Sequence, residues 1–272
     1  YDNAIKSAVR PGDVVLDIGT GSGLLAMLAV RAGASHVYAC ESVGIIAQKG
    51  REIITANQLS DRITIVGKRS TDLVPGSDLP AKADVLISEI VDRNLVGEGI
   101  IPTLEHALMV LVKPDARILP QSGQLFIRAF ECAELHATYN VDEVAGFDVS
   151  LFNEFSPCGS STLINLGGYI LNPLSEPLLA FDFCFTKPDF AANEKTIEIR
   201  GSRPGMLHGL VAWFQLCVDD SNTIDNSPWR PGNHWSHEVC LLKAPRPLKP
   251  GETVHVQVTH DMKTFSFEMV ET

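Results

Sequence analysis

A chain of 272 residues has room for one large domain or two ordinary ones, and its 45% hydrophobic, 20% charged and 7% aromatic composition excludes a disordered, collagen-like or coiled-coil protein. Lysine and arginine number 22 against 33 aspartates and glutamates, a formal net charge of −11. That sign opposes broad neutralisation of nucleic-acid phosphates and favours basic partners.

In chain order, Val14-Val15-Leu16-Asp17-Ile18 reads as a buried first strand and residues 24–32 as the helix after it. His36-Val37-Tyr38-Ala39-Cys40 reads as a second strand, followed by a helix over about 45–57 in which Ile45, Ile46, Ile53 and Ile54 are expected to share the buried face. Third and fourth strands are expected at 63–66 and 83–88. Pro102 suits a first helical turn, and the helix it opens is expected to run through Val112 and to be closed by Lys113-Pro114. Strands alternating with helices predict a parallel sheet covered by helices, a Rossmann-like α/β domain over 1–120.

Beyond Pro120 the apolar period falls to two. Phe181, Phe183 and Phe185 alternate with Asp182 and Cys184, Val254, Val256 and Val258 with His255 and Gln257, and Phe265, Phe267 and Met269 repeat the pattern. Proline and glycine clusters at 228–232 and 245–251 are expected to separate these runs, which predicts a mainly antiparallel sandwich or barrel over 121–272. The six cysteines are scattered, with no Cys-x-x-Cys pair, so they read as small core residues of a protein in a reducing compartment. No apolar run approaches the ~18 residues of a membrane span, and Tyr1-Asp2-Asn3-Ala4 does not resemble a signal peptide. A cytoplasmic location is expected, or a nuclear one in a eukaryote.

Between the first strand and its helix stands Asp17-Ile18-Gly19-Thr20-Gly21-Ser22-Gly23, where glycines permit a tight turn and let a ligand approach the backbone. Leu24 occupies the last glycine position of the dinucleotide fingerprint, which argues against a pyrophosphate. Glu41, at the tip of the second strand, is placed to accept both hydroxyls of a ribose. The loop resembles the first motif of class I methyltransferases that use S-adenosylmethionine, which implies that Asp17 faces the amino group of that cofactor. The same resemblance implies cofactor contacts for Gly19, Thr20, Gly21, Gly23, Leu24, Glu41 and Ser42.

The fourth strand runs into Ser88-Glu89-Ile90-Val91-Asp92-Arg93-Asn94-Leu95-Val96-Gly97-Glu98-Gly99, with both glutamates on one loop at the carboxyl end of the sheet, where open α/β sheets bind ligands. Two carboxylates brought face to face repel unless a cation lies between them, and guanidinium, planar and always charged, is the natural guest. This stretch resembles the double-glutamate loop of protein arginine methyltransferases, and its Leu-Val-Gly-Glu-Gly ending resembles their type III, monomethylating branch. Ser70-Thr71 is similar to the family's adenine-contacting pair, Ile118-Leu119-Pro120 to its crossing into a β-barrel, and Gly232-Asn233-His234-Trp235-Ser236-His237 to its Thr-His-Trp loop. Here Asn233 replaces the usual threonine, and His237 stands where glutamine is common.

The resemblance implies a Rossmann-like domain followed by a β-barrel, transfer of a methyl group to arginine of basic protein substrates, and S-adenosylhomocysteine as the by-product. It further implies Glu89, Glu98 and His234 as catalytic residues, with Glu89, Glu98 and Trp235 binding the substrate. A head-to-tail homodimer is expected through an arm near 147–172. The family's helices ahead of the cofactor domain are expected to precede the first residue of this chain. Two rivals share part of these features: a methyltransferase of a small molecule, and an inactive scaffold of the same fold. His234 and His237 have no third ligand at usable spacing, so no metal is expected, and neither a nucleic acid nor a membrane is an expected partner. Trp213, in an apolar run, is expected in the core.

Overall fold

The computed structural model describes residues 1–187, 191–233 and 235–270. A short helix α1 (Asp2–Ala8), too short to leave a periodic signal, buries Ala4 and Ile5 ahead of the first strand. There follow β1 (Val14–Ile18), α2 (Leu24–Ala32), β2 (His36–Cys40), α3 (Gly44–Ala56), β3 (Ile63–Val66), β4 (Ala83–Ser88), α4 (Ile100–Val110) and β5 (Val112–Leu119). The five strands pair in parallel in the order β3-β2-β1-β4-β5. Their Val/Ile/Leu content fits burial on both faces, and Val15, Leu16, Val85 and Leu86 are fully buried. Gly33, with a φ of +115°, ends α2 in the left-handed conformation open to glycine.

Two expectations fail here. The fourth helix stops at Val110, and Lys113 and Pro114 lie inside β5. The proline is tolerated because β5 is the edge of its sheet, and the Lys113 ammonium pairs with Asp84 of β4 at 2.5 Å. In α3 the buried face is Ala47, Gly50 and Ile54, whereas Ile45 is 74% exposed and Ile46 41%. The reason is steric: a Cβ on Gly50 would stand 2.8 Å from the carbonyl oxygen of Gly21, so this helix packs on the glycine loop through small residues.

From β6 (Ser122–Glu131) onward the chain is mainly antiparallel. After α5 (Ala133–Thr138) come the hairpin β7 (Glu143–Val144) and β8 (Phe147–Asp148), a 3-10 segment Ser150–Phe155, and the strands β9 (Ser161–Ile164), β10 (Asn172–Pro173), β11 (Leu178–Cys184) and β12 (Asn193–Arg200). The remaining strands are β13 (Gly205–Asp219), β14 (Asn222–Asp225), β15 (His237–Leu248), β16 (Thr253–His260) and β17 (Phe265–Met269). One sheet has the order β10-β6-β13-β15-β9, with β11 on β6 and β14 on β13, and a second has the order β12-β16-β17. Among the described residues the ladders form these two sheets and the separate β7-β8 pair, not one closed ring. Pro245 and Pro247, expected to interrupt the strands, lie within β15.

The period-two phenylalanines and valines point inward: Phe181, Phe183, Phe185, Val254, Val256 and Val258 are all buried, as is Trp213. One apolar cluster runs from Leu16 and Leu86 of the parallel sheet through Leu95 and Ile101 to Leu125, Phe214 and Val256 of the antiparallel half. All six cysteines are free thiols; four are buried, but Cys184 is exposed and Cys217 partly so.

Candidate active site

The turn after β1 is left-handed at Gly19, Gly21 and Gly23, with φ of +75°, +54° and +83°. A side chain on Gly19 would overlap Ile90, whereas a Cβ on Gly21 would meet nothing within 4 Å, so the loop is packed at one end and open in the middle. Glu41 braces it: Oε2 accepts the Gly21 amide at 3.2 Å and Oε1 the Val43 amide at 2.9 Å. Asp17 is fully buried beneath; its Oδ2 accepts the Thr20 hydroxyl at 2.5 Å, and its Oδ1 has no hydrogen-bond partner. Burial pushes its carboxyl up to about 6, partly offset by the Thr20 hydroxyl and the Ala26 amide and reinforced by the charge of Glu41. A buried carboxylate with an orphaned oxygen is a receptor for a cationic donor such as an ammonium group.

Above the loop lies a cleft of about 490 Å³. Gly19, Ser42, Ser70 and Thr71 line it, together with Glu98, Gly99 and Thr103. Ser70 and Thr71 reach it from a 3-10 turn after β3. Leu24 opens α2 and is largely exposed, outside the residues that line the cleft. Lys68, Arg69 and Lys263 also line it, three cations that no sequence motif singles out. Lys263 arrives from the opposite end of the chain, a placement invisible to local periodicity.

The acidic loop is anchored by its apolar residues and offers its charged ones. Val91, Leu95 and Val96 are buried while Glu89 and Glu98 are exposed. Leu95 takes a φ of +69°, costly for a residue with a Cβ, and lies so close to β6 that a side chain on Gly123 would stand 2.7 Å from it. Asp92 Oδ1 accepts the amides of Asn94 at 3.0 Å and Gly97 at 2.9 Å, closing the turn, and a side chain on Gly97 would overlap that carboxylate. Asn94 Nδ2 donates to Glu238 Oε1 of β15 at 3.1 Å, tying the loop to the antiparallel half.

Lost hydration and the nearby charge of Glu98 raise the Glu89 carboxyl above its ordinary value. Glu98 is raised in the same way, by lost hydration and then Asp92. Two carboxyls held with raised proton affinity are poised to ionise when a cation arrives. Tyr1, which belongs to no sequence motif, donates its hydroxyl to the Ser88 carbonyl at 2.8 Å. Burial, then the charges of Glu89 and Asp17, raise the proton affinity of its phenol.

The antiparallel half contributes less of the expected site. Trp235 does not line the cleft; it packs edge-on against Phe214 at 5.4 Å and borders a smaller recess with Asn226, Arg230 and Asn233. His237 is not a loop histidine but the buried first residue of β15, its Nε2 2.7 Å from the Asn226 carbonyl and its Nδ1 without a partner. Burial lowers its proton affinity. Asn233 Nδ2 bonds the Ser227 carbonyl at 3.1 Å and lies 3.2 Å from His237 Nε2, a structural role. His234 lies outside the described residues. Among the described residues no group of three or more His, Cys, Asp or Glu is arranged to hold a metal ion.

Residues 3–143 match the family model for "Ribosomal protein L11 methyltransferase (PrmA)", a match that covers the parallel half and, of the antiparallel half, β6, α5 and the first residue of β7. Over nearly the whole chain the similar proteins have other names. An "Arginine N(omega)-methyltransferase" of Streptomyces achromogenes subsp. streptozoticus is 37% identical over 94% of this chain and 70% of its own length. A "Protein arginine N-methyltransferase 7" of Oryza sativa subsp. indica is 33% identical over 99% of this chain and 42% of its own length, and that of Danio rerio is 30% identical over 96% and 42%. The chain therefore spans well under half the length of the rice and zebrafish proteins. Among the solved structures that share the fold are the following two. The Trypanosoma brucei PRMT1 enzyme-prozyme heterotetrameric complex with AdoHcy has a TM-score of 0.79 at 22% identity, covering 95% of this chain and 82% of that one. PRMT6-SAH has a TM-score of 0.75 at 21% identity, covering 99% and 94%.

Proposed function

The chain belongs to the arginine N-methyltransferases, and from that premise we propose that it transfers a methyl group from S-adenosylmethionine to a guanidinium nitrogen of arginine in basic proteins. The observation that carries this reading is the pair Glu89 and Glu98, on one loop at the end of β4, with Glu98 lining the cleft over the glycine loop.

The residues present suit the cofactor. Asp17 has a buried oxygen free for the cationic amino group, Glu41 stands at the β2 tip for the ribose hydroxyls, and the open face of Gly21 leaves room for the chain between them. When bound, S-adenosylmethionine supplies an electrophilic methyl group on its sulfonium. Glu89 and Glu98 accept N–H bonds from the guanidinium and hold its charge away from the attacking nitrogen. Alignment of this kind can remove about 7–11 kcal/mol of barrier. The nitrogen that gains the methyl group releases one proton, and Glu98, with its raised proton affinity, is an acceptor this loop offers.

The acidic surface suits arginine- and glycine-rich targets, an attraction that weakens with salt. The product is the monomethylated arginine, in line with the Gly-Glu-Gly ending of the acidic loop. The parts are a cofactor domain over 1–120 and a substrate domain over 121–272 whose two sheets act as a barrel, in a cytoplasmic setting where the six thiols stay reduced. The functional unit is a homodimer. Val144, Phe147, Leu151, Phe152 and Phe155 are exposed on the arm, and Leu24, Val43, Ile45 and Ile46 form a second exposed apolar set at the starts of α2 and α3. The arm of one copy laid on the α2 and α3 face of the other would cover both sets.

The test is mass spectrometry of an arginine- and glycine-rich peptide, and separately of free arginine, each incubated with S-adenosylmethionine and this protein. A gain of one methyl mass on the peptide supports the proposal. A gain on free arginine alone favours the small-molecule reading, to which the name of the Streptomyces relative lends weight. No gain on either favours the inactive scaffold.

A further inference from the structure

Alternation along β15 puts position 238 on the same face as Cys240 and Leu242, both buried in the core that the two halves share. Its partner across the ladder, Ala212 of β13, is buried in that core too. Glutamate is out of place there, since a carboxylate facing an apolar core costs free energy unless its oxygens are bonded. Both oxygens of Glu238 are bonded, and to neutral donors: Oε1 accepts Asn94 Nδ2 at 3.1 Å and Oε2 accepts the Ser161 hydroxyl at 2.9 Å. Asn94 stands on the acidic loop between Glu89 and Glu98, and among the described residues its bond is the one hydrogen bond from 89–99 to the antiparallel half. Ser161 opens β9, the edge strand beyond β15 in that sheet.

The other restraints on the loop are internal or apolar. Asp92 closes the return on the amides of Asn94 and Gly97, and Leu95 is buried in the shared core. Apolar packing has no preferred direction, whereas a hydrogen bond has one, so the bond to Glu238 sets how the loop lies against β15. We propose that Glu238 is a positioning residue for the guanidinium receptor: anchored on Ser161, its carboxylate holds Asn94 and thereby fixes where the loop presents Glu89 and Glu98. This rests on the reading of those two carboxylates as the arginine receptor. Glu238, Asn94 and Ser161 do not line the cofactor cleft, so the effect belongs to substrate and not to cofactor.

The test is isothermal titration of S-adenosylhomocysteine, and then of an arginine- and glycine-rich peptide in its presence, together with steady-state methylation of the peptide. Glu238→Ala is expected to lower peptide affinity and kcat/KM about tenfold while cofactor affinity stays within about twofold. Glu238→Gln is expected to stay within about threefold of the parent, because its amide oxygen accepts from Asn94 and its amide nitrogen donates to the Ser161 hydroxyl. Asn94→Ala makes the same test from the loop side without altering the sheet, and the double variant should lose no more than either single one. Unchanged peptide affinity in Glu238→Ala would overturn the proposal, as would an equal loss of cofactor affinity or additive losses in the double variant. A glutamine variant as weak as the alanine one would put the effect on charge and overturn the hydrogen-bonded tie. If the unsubstituted protein does not bind the peptide, the receptor reading and this inference fall together; if it binds and Glu238→Ala matches it, only this inference falls.

Discussion

Replacing Asp17 by asparagine tests the physics of the cofactor site in the unliganded protein. The carboxyl is fully buried and holds its proton up to about pH 6, against an ordinary 3.8. Below pH 3.8 it is neutral in folded and unfolded chains alike, and its contribution to stability is whole. As pH rises towards 6 the unfolded chain ionises freely while the folded one keeps its proton, so stability falls. The loss is complete above about 6 and amounts to about 3 kcal/mol. Between pH 8 and pH 5 the same relation recovers roughly half of that loss.

Asparagine never ionises there. Its oxygen still accepts the Thr20 hydroxyl, and its unmet N–H group costs about 1–3 kcal/mol at every pH. That constant cancels when the two proteins are compared at two pH values. The melting-temperature difference, variant minus parent, is therefore expected to fall by about 3–5 °C from pH 8 to pH 5. Differential scanning fluorimetry of the apoprotein measures it. A gap that stays constant across that range would refute the buried-charge argument. Binding of S-adenosylhomocysteine is expected to weaken about tenfold in the variant through loss of the charged hydrogen bond.

Glu98→Gln is expected to leave S-adenosylhomocysteine affinity within about twofold while abolishing measurable turnover, and to raise the melting temperature at pH 8, because a carboxyl with raised proton affinity destabilises the folded state once ionised. Near-normal turnover would sink its assigned role. For the same reason, the KM for an arginine peptide should rise as pH falls and Glu89 and Glu98 take up protons, and a flat profile would count against the pair as the guanidinium receptor. Leu95→Ala removes a fully buried anchor of the acidic loop; a loss of about 2–5 kcal/mol is expected in urea unfolding, with a lower kcat and unchanged cofactor affinity. On the arm, Phe152→Ser with Phe155→Ser should turn a dimer into a monomer in sedimentation at micromolar concentration, and a parent that sediments only as a monomer would refute the assembly.

The strands of the parallel sheet, the glycine loop and Glu41 at the strand tip were legible in the sequence because each rests on local chemistry: apolar runs of strand length, glycines where φ turns positive, an acid at a strand end. The acidic loop was legible as spacing, with Glu89 and Glu98 bracketing a return that Gly97 and Asp92 then close. What the sequence could not carry is whatever depends on distant packing. Ile45 and Ile46 fit the helical period but lie outside the contact, because the glycine loop demands the small face of Ala47 and Gly50. His237 reads like a loop histidine and is buried because β15 begins at it, while Trp235 packs on Phe214 instead of lining the cleft. Tyr1 reaches Ser88, and Lys263 the cofactor cleft, across most of the chain. Local spacing determines which face a residue can occupy, but only the docking of two sheets on one core decides what that face meets.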